Sequence, residues 1–493
     1  MAHRTLPSAI SHQPRAKSHE PRAMSQQPSR DTGGGMHVPT AMGRVAGWQY
    51  YHTVWAVLIF AWITNYLVRM GLSPVLIPIM REFQLSYVQA GLLATAFFYA
   101  YTFMQLPAGV LGDWIGKKMI LVLAPIWWGL MSLLTGLAPT FTLLFVARFL
   151  TGVGQGTYFG NDRPVIAAYT PADKMAFGQG MSFTGLGVGM AIGIFLAGLI
   201  ADWWGWRMVF VLLAVPSLAA GVVVGWKIQE PPRACGERLP GWMWTLLLPF
   251  PPMLLAGLAA DWALLRWASL VFPLLFLLGL VFRESHLRRA DLWITYLSGI
   301  APIYCLWVVG IWAPAMFLEI GVTALSRSSL LSSLVGISAI PGLVLMGILS
   351  DRLARRGKGR KGLAAAILLG LSVAMVLMGA AVGSKAHPLV LATLVFAAGF
   401  CIWGVWAPIY ALLTEISPAQ IRGTSFGMNN TINFIGSLIA PMATGWIKDV
   451  SGSFAGACYL AAALGLGGAV ILCLVRPAFR WAPEARVPVE PPG

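Results

Sequence analysis

Charged residues are scarce in this chain of 493 residues. Asp, Glu, Lys and Arg together make up 11% of it, whereas soluble domains carry about 25%. In their place, apolar runs of about 18 residues or more recur along the chain, and each predicts a membrane-spanning helix. The short alternating segments of membrane β-barrels do not occur. The composition excludes a soluble globular protein and predicts an all-α polytopic membrane protein.

Cysteine and clustered histidine are also rare. The five cysteines are odd in number, four lie inside apolar runs, and none has metal-ligand spacing, so we predict neither a disulfide framework nor a metal site. A Walker loop is missing, which excludes ATP as the driving force. The net charge of +16 comes from Lys and Arg clustered between apolar runs, which the positive-inside rule explains without nucleic acid. We expect no enzymatic activity and no cofactor.

The apolar runs fall into two sets of six. We predict helices near 52–74, 87–111, 119–138, 141–166, 175–201 and 206–226, and then near 292–320, 328–350, 362–383, 388–414, 424–447 and 454–475. The predicted domains are a disordered tail at 1–46, a six-helix bundle at 47–226, a connector at 227–291, a second bundle at 292–475 and a tail at 476–493. Glycines within the fourth and fifth helices are expected to allow close helix packing.

The connector has a strongly apolar middle, residues 242–282. At ~1.5 Å per residue this segment can make two spans, so we predict an apolar hairpin and 14 helices in total. A re-entrant segment, which leaves 12 helices, is the alternative. The basic loop 350–362 and the uncharged loop 138–141 predict that the connector and both termini are cytoplasmic. Short loops favour a bacterial inner membrane.

One turn motif occurs twice. Residues 109–118 read GVLGDWIGKK and residues 347–358 read GILSDRLARRGK. The glycine allows close helix approach, and the aspartate either caps a helix start or pairs with a basic residue across the turn. Repeated halves with a repeated turn are typical of secondary transporters. The residues of this conformational motif are Gly109, Asp113, Gly116, Lys117, Asp351 and Arg352.

Three segments resemble motifs of the major facilitator superfamily. GVLGDWIGKK resembles its loop 2–3 signature, ARFLTGVGQG (147–156) its helix-4 motif, and WWGWRMVF (203–210) the entry to its sixth helix. The resemblance covers about residues 50–480. It implies two six-helix bundles of the major facilitator type that rock around a central cavity, here with the extra apolar hairpin between them.

Arg69 lies inside an apolar run, in ITNYLVRMG, where a permanent charge is costly. Asn65, Tyr66 and Arg69 resemble the helix-1 signature of anion:cation symporters. Tyr66 to Arg69 also match the Tyr-Leu-Val-Arg of organophosphate:phosphate antiporters. Both resemblances imply that Arg69 binds a substrate anion, with Asn65 and Tyr66 beside it on one helical face. The alternative is an arginine that snorkels to the membrane surface.

The sequence departs from both subfamilies. Val68 and Gln155 stand where the symporters carry carboxylates, which weakens proton symport by that route and favours exchange or facilitation. The predicted seventh helix lacks the arginine of the antiporters, which argues for a monoanion such as a carboxylate rather than a phosphate dianion. If protons are coupled, the remaining candidates are Asp162, Asp202 and Glu319.

Each of the remaining candidate residues has a structural role as its alternative. We predict coupling or gating roles for Arg148, Gln155, Asp162 and Arg163, where an interfacial arginine at 148 and a loop anchor at 162–163 are the alternatives. The mid-helix aromatic residues Tyr304, Trp307, Trp403 and Trp406 are predicted to line the cavity, and interfacial anchoring is the alternative. Asn433, near the start of the eleventh helix, is predicted to bind substrate or to cap that helix.

These observations favour secondary active transport of a small organic anion, as a symporter or an exchanger. The expected partners are that anion, protons or a counter-transported anion, and the lipid bilayer, and we expect a monomer. An efflux transporter for amphipathic compounds, of the drug:proton antiporter type, is the alternative, although Arg69 opposes it because cationic drugs prefer an acidic site. A non-transporting sensor is a third reading.

Overall fold

We describe the protein from a computed structural model that covers residues 48–171, 175–231, 289–417 and 422–476. In these ranges the chain forms twelve helices, several of them interrupted, and no strand. The first six are α1 (Tyr50–Met70 and Leu72–Phe83), α2 (Tyr87–Ile115), α3 (Lys117–Gly136), α4 (Phe141–Gly156 and Phe159–Tyr169), α5 (Met175–Trp204) and α6 (Trp206–Lys227).

The second six helices follow after the connector. They are α7 (Ala290–Ser298 and Ile300–Glu319), α8 (Leu325–Ser332, Leu334–Ile337 and Ala339–Arg355), α9 (Arg360–Gly383), α10 (Pro388–Gly404 and Trp406–Ile416), α11 (Arg422–Asn433 and Ile435–Ser451) and α12 (Ala455–Cys473).

Length and hydropathy confirm the predicted fold class. Within the described residues, nine helical stretches are long and apolar enough to cross a membrane. The all-α polytopic membrane protein predicted from composition is therefore confirmed. The apolar hairpin 242–282 and the tail 1–46 lie outside the described residues, as does the tail after residue 476, so the choice between 14 and 12 helices stays a prediction.

The first helix is longer than predicted. We placed its end at residue 74, but α1 breaks at Gly71 and continues to Phe83. Pro74 lies in the first turn of the second segment, where its missing N–H costs no helical hydrogen bond. Arg69 therefore lies near the middle of a 34-residue helix and not near its end.

Small residues bring the helices of the first bundle close together. A methyl group on Gly189 of α5 would lie 2.7 Å from the carbonyl oxygen of Ile63 on α1. On α4, a methyl group on Gly152 would collide with the carbonyl of Phe97 on α2. Since larger side chains would separate these backbones, the prediction of close-packing glycines is confirmed.

The two bundles meet along α2 and α11 and along α5 and α8. We call the end that carries the basic turn between α8 and α9 the inner end, and the opposite end the outer end. At the outer end, the Asp449 carboxylate of α11 accepts from the backbone N–H groups of Tyr87 (3.0 Å) and Val88 (2.8 Å) at the start of α2. The same contact joins α5 and α8, where Asp202 accepts from the N–H groups of Leu325 (3.2 Å) and Ser326 (2.7 Å).

Candidate functional site

Arg69 lies where α1 contacts α4. Its side chain is 1% exposed, its Nε donates to Gln155 Oε1 (3.0 Å) and its Nη2 donates to Asn65 Oδ1 (3.0 Å). Gln155 Nε2 in turn donates to the backbone carbonyl of Asn65 (2.9 Å). Nη1 of Arg69 is buried and has no hydrogen-bond partner among the described residues. Snorkelling of Arg69 is wrong, because the guanidinium lies in the protein interior.

Arg148 lies beside Arg69 and not at a membrane interface. It is 1% exposed, and its Nη1 donates to the carbonyl of Val68 (3.3 Å). The guanidinium carbons of Arg69 and Arg148 each lie 5.2 Å from the centre of the Phe97 ring. The interfacial alternative is wrong because the Arg148 side chain is buried in the protein interior, about two turns inside a helix that begins at Phe141.

Neither Arg69 nor Arg148 has an acidic partner among the described residues. The ion pairs found there are made by other basic side chains. The rings of Tyr66 and Tyr101 lie 4.5 Å and 4.3 Å from the Arg69 guanidinium carbon, which offsets part of the cost of burying its charge. Two buried positive charges still lack a counter-charge in the part of the chain that the structure describes, and such groups bind anions through charge-assisted hydrogen bonds. We call Asn65, Arg69, Arg148 and Gln155 the arginine site.

Sequence reasoning missed the aromatic face of α2. The Phe97 and Tyr101 rings stack with centroids 6.1 Å apart, and both face the Arg69 guanidinium. The ring centroids of Phe98 and Trp307 of α7 lie 4.1 Å apart, across the interface between the bundles. The i, i+4 spacing of Phe97 and Tyr101 was visible in the sequence. It carried little information, because the same spacing is common in ordinary helix packing.

The four predicted cavity aromatics are buried, so interfacial anchoring is wrong for all of them. Trp403 donates its Nε1 to a backbone carbonyl of α8 (2.9 Å) and is therefore engaged in packing within the second bundle. Trp307 faces Phe98 of the first bundle, and its Nε1 has no hydrogen-bond partner among the described residues. A ligand contact is best supported for Trp307, and it stays a prediction for Tyr304 and Trp406.

Asn433 ends the first segment of α11. Because α11 begins at Arg422, a capping role for Asn433 is wrong. Its side chain packs against Gly299, where α7 is also interrupted. Asn429, one turn earlier, is fully buried, and neither atom of its amide finds a hydrogen-bond partner in the described part of the chain. The interruptions of α7 and α11 thus lie together, and substrate binding by Asn433 stays a prediction.

A second polar cluster lies about two turns beyond Gln155 on α4. Asp162 is fully buried, its Oδ2 accepts from Trp62 Nε1 of α1 (2.7 Å), and its Oδ1 lies 3.4 Å from Arg163 Nε. Tyr158 is also buried, and its ring meets the Trp62 ring edge-on at 5.3 Å. The loop-anchor alternative does not fit Asp162, because its contacts are within the helical core.

The first copy of the repeated turn lies at the inner end between α2 and α3. Gly116 has a φ of +105°, a conformation that side chains disfavour. Glu230, beyond α6, accepts from the backbone N–H groups of Lys117 and Lys118 at the start of α3 (both 2.8 Å). The surroundings of Gly109 and the side chain of Asp113 lie outside the described residues, so their roles stay predictions.

In the second copy of the turn, Asp351 pairs with a basic residue instead of capping a helix. Arg360 Nη1 lies 2.8 Å from Asp351 Oδ1, and Arg360 Nε lies 2.7 Å from Glu415 Oε1 of α10. Arg352 is exposed. The turn therefore joins the inner ends of α8, α9 and α10, while its part in the conformational change stays a prediction.

Two sets of six helices that repeat one turn motif, with two arginines buried inside the first set, define a secondary transporter. The sequence profile of the Major Facilitator Superfamily matches residues 58–382 and 297–492. The chain belongs to this family.

Three relatives are similar over most of the chain. A hexuronate transporter of Bacillus subtilis is 25% identical over 425 residues, which cover 85% of this chain and 93% of the relative. A protein named as a probable sulfoacetate transporter of Cupriavidus necator is 24% identical over 406 residues, 82% of this chain and 88% of the relative. A 4-hydroxybenzoate transporter of Pseudomonas aeruginosa is 26% identical over 352 residues, 71% of this chain and 75% of the relative.

Solved structures agree in fold. A bacterial homologue of the human lysosomal transporter Spinster, in an inward-facing and occupied conformation, superimposes with a TM-score of 0.68 at 18% identity and covers 89% of this chain and all of its own. A D-xylose–proton symporter superimposes with a TM-score of 0.64 at 18% identity and covers 87% of this chain and 99% of its own. At this identity the likeness shows the fold alone.

Proposed function

We propose that the protein is a secondary transporter that binds a small organic anion at the arginine site and moves it by alternating access. The observation that carries this proposal is the pair of buried guanidiniums, Arg69 and Arg148, without an acidic partner among the described residues. Burying an uncompensated charge costs several kcal/mol. A ligand that supplies the counter-charge recovers that cost. Relatives named as transporters of hexuronate, sulfoacetate and 4-hydroxybenzoate support an organic anion.

The proposed range of substrate charges is wider than the one the sequence favoured. The sequence favoured a monoanion because the seventh helix has no arginine. Arg148 of α4 supplies the second guanidinium instead, and it shares the Phe97 ring with Arg69. The proposed substrates therefore include dicarboxylates as well as monocarboxylates. The aromatic residues Phe98 and Trp307 would contact the uncharged part of the molecule.

The coupling mode follows in part from what the arginine site contains. Val68 is apolar, and Gln155 gives Arg69 a neutral acceptor, so no internal carboxylate competes with the substrate. Proton coupling through these two positions is excluded by their chemistry, because neither side chain titrates. Anion exchange, or proton coupling through another group, remains.

The wider setting is part of the same proposal. The basic loop 350–362 supports cytoplasmic termini, and we place the protein as a monomer in a bacterial inner membrane. Within this proposal the protein is a transporter and not an enzyme. Glu82 and Arg207, paired at 2.6 Å, then lie at the periplasmic end.

The test is counterflow in proteoliposomes with five labelled anions: D-glucuronate, D-glucarate, L-tartrate, sulfoacetate and 4-hydroxybenzoate. Wild type should exchange at least one of them. Arg69→Lys should abolish that exchange, because an ammonium keeps the charge but loses the planar fork that bonds Gln155, Asn65 and a carboxylate together. The matched control is Arg207→Lys, at an exposed ion pair.

Two results would contradict the proposal. Exchange by Arg69→Lys at the wild-type rate, at equal reconstitution, would remove Arg69 as the anion-binding group. Transport of lipophilic cations and none of the anions by wild type would favour the efflux alternative and make Arg69 a structural residue.

A further inference from the structure

Asp162 is the one acidic side chain that is buried among those the structure describes. The sequence left three candidates for a coupling proton, and two of them are engaged at the outer end. Glu319 pairs with Lys448 (2.9 Å), and Asp202 accepts from two backbone N–H groups of α8. Asp162 remains, within the helical core. An ionisable residue there is costly and indicates function.

The surroundings of Asp162 are known from four neighbouring helices. α1 contributes the Trp62 N–H to the carboxylate itself. Beside it, the Ala108 carbonyl of α2 accepts from the amide of the neighbouring Asn161, and Trp128 of α3 lies against Tyr158, with ring centroids 5.5 Å apart. The described side chains of α5 place no charge there. Among the described residues, the titratable groups that face the carboxylate are Tyr158 and Arg163, both on α4 itself. One carboxylate thus faces one cation, which makes its protonation a change of local net charge.

A continuous seam between α1 and α4 connects Asp162 to the arginine site. Trp62 and Arg69 are seven residues apart on α1, and Gln155 and Asp162 are seven residues apart on α4, so each pair shares a helical face at a spacing of about 10 Å. Hydrogen bonds join the two helices at both ends of this seam, one between Arg69 and Gln155 and one between Trp62 and Asp162.

We propose that Asp162 binds the proton that is coupled to anion movement. In the ionised form its oxygens accept from Trp62 and pair with Arg163. A proton from water adds to one carboxylate oxygen to give the neutral acid, and it returns to water on the side to which the cavity then opens. Because Asp162 pairs with Arg163, its protonation changes the net charge of this cluster beside the arginine site. Coupling would thereby persist although positions 68 and 155 hold no acid.

The first test needs no substrate. Infrared difference spectra of the purified full-length protein, recorded between acidic and neutral pH, should show the C=O stretching band of a protonated carboxylic acid. Other carboxyl groups contribute to this band as well, so the test is the component that Asp162 adds: it should be missing in Asp162→Asn and present in the control Asp291→Asn, whose acid caps a backbone N–H at the inner end. A spectrum of Asp162→Asn identical to wild type would overturn the proposal.

The second test follows protons and anions together, and it rests on the proposed function. Proteoliposomes that contain a pH-sensitive dye are given the anion of the five-member panel that wild type exchanges fastest. Wild type should move protons with the anion. Asp162→Asn should lose proton movement to the level of protein-free liposomes while it keeps anion counterflow. Proton movement at the wild-type ratio would overturn the proposal. Failure of wild-type counterflow would instead contradict the proposed function, and the infrared test would still decide the role of Asp162.

A milder variant covers the case in which Asp162→Asn does not fold. Trp62→Phe removes the hydrogen bond to Oδ2 and keeps most of the ring volume. Because that bond favours the ionised form, the infrared band should appear at a higher pH than in wild type. An unchanged pH midpoint, in a variant that folds, would show that the titrating group is elsewhere.

Discussion

At the scale of the residue, position 155 sets the charge of the arginine site. Gln155 offers an amide oxygen to Arg69 and an amide N–H to the carbonyl of Asn65. A glutamate has the same length and would pair with Arg69 as an ion. The neutral side chain therefore keeps the guanidinium oriented without removing its charge.

Gln155→Glu should make anion binding weaker at neutral pH. The internal carboxylate competes for Arg69, and a charged hydrogen bond is worth about 1.5–3 kcal/mol, or roughly tenfold or more in Kd. Acidification protonates the glutamate and should recover affinity. Calorimetric titration with the exchanged anion at two pH values measures this. Since Gln155 contacts Arg69, a Kd equal to wild type at neutral pH would show that the anion does not bind at Arg69.

Arg148 should decide how well a second negative charge is bound. D-glucarate and D-gluconate make a matched pair, because they differ in one carboxylate. Wild type should prefer D-glucarate, and Arg148→Gln should lose that preference more than it loses D-gluconate binding, since the second guanidinium is gone. Competition of the two unlabelled anions against counterflow gives the ratio. An unchanged ratio in Arg148→Gln would assign Arg148 to packing against Val68 and Phe97.

At the scale of the element, two carboxylates join the two bundles at the outer end. Asp449 ends α11 and accepts from the first N–H groups of α2, and Asp202 ends α5 and accepts from the first N–H groups of α8. The positive ends of both helices favour this arrangement. Because the contacts join the two bundles in equivalent places, each opening of the outer end must break them.

Asp449→Asn should favour the outer-open conformation. The amide loses the charge of the contact, about 1.5–3 kcal/mol, which would raise the open population by roughly tenfold or more. The reporter is Ser73→Cys, at a buried position whose hydroxyl bonds the Ile311 carbonyl across the bundles, labelled with a membrane-impermeant maleimide. The same reporter with Asp291→Asn is the control. Equal labelling rates with and without Asp449→Asn would show that the contact of Asp449 with α2 does not stabilise the closed outer end.

At the scale of the whole molecule, hydropathy located the described helices closely, because apolar length alone determines a span. The end of α1 was wrong because a proline at the start of a new helical segment breaks no hydrogen bond, and the sequence does not show that the segment restarts at Leu72. Depth along a helix could be estimated. The contact partners of a side chain could not be predicted from the sequence, since contacts such as that of Arg69 with Gln155 join residues 86 positions apart.

The arginine site, too, could be predicted from the sequence only in part. The resemblance and the buried charge predicted Arg69, Asn65 and Gln155 from sequence. Arg148 was predicted in a coupling or gating role, but the sequence left open an interfacial position that its burial rules out. The Phe97 ring that both arginines face lies on a helix for which no substrate-binding residue was predicted. The Trp62–Asp162 contact was likewise invisible, because hydrophobic patterns do not report which polar pairs meet.

The most direct test of the central claim is a thermal-shift measurement on wild type and Arg69→Ala with the five anions and a lipophilic cation. An anion at about 100 times its Kd should stabilise wild type by about 2.7 kcal/mol. The account predicts a rise in the midpoint with at least one anion and none of that rise in Arg69→Ala. An equal rise in Arg69→Ala, or a response to the lipophilic cation alone, would contradict anion binding at the arginine site.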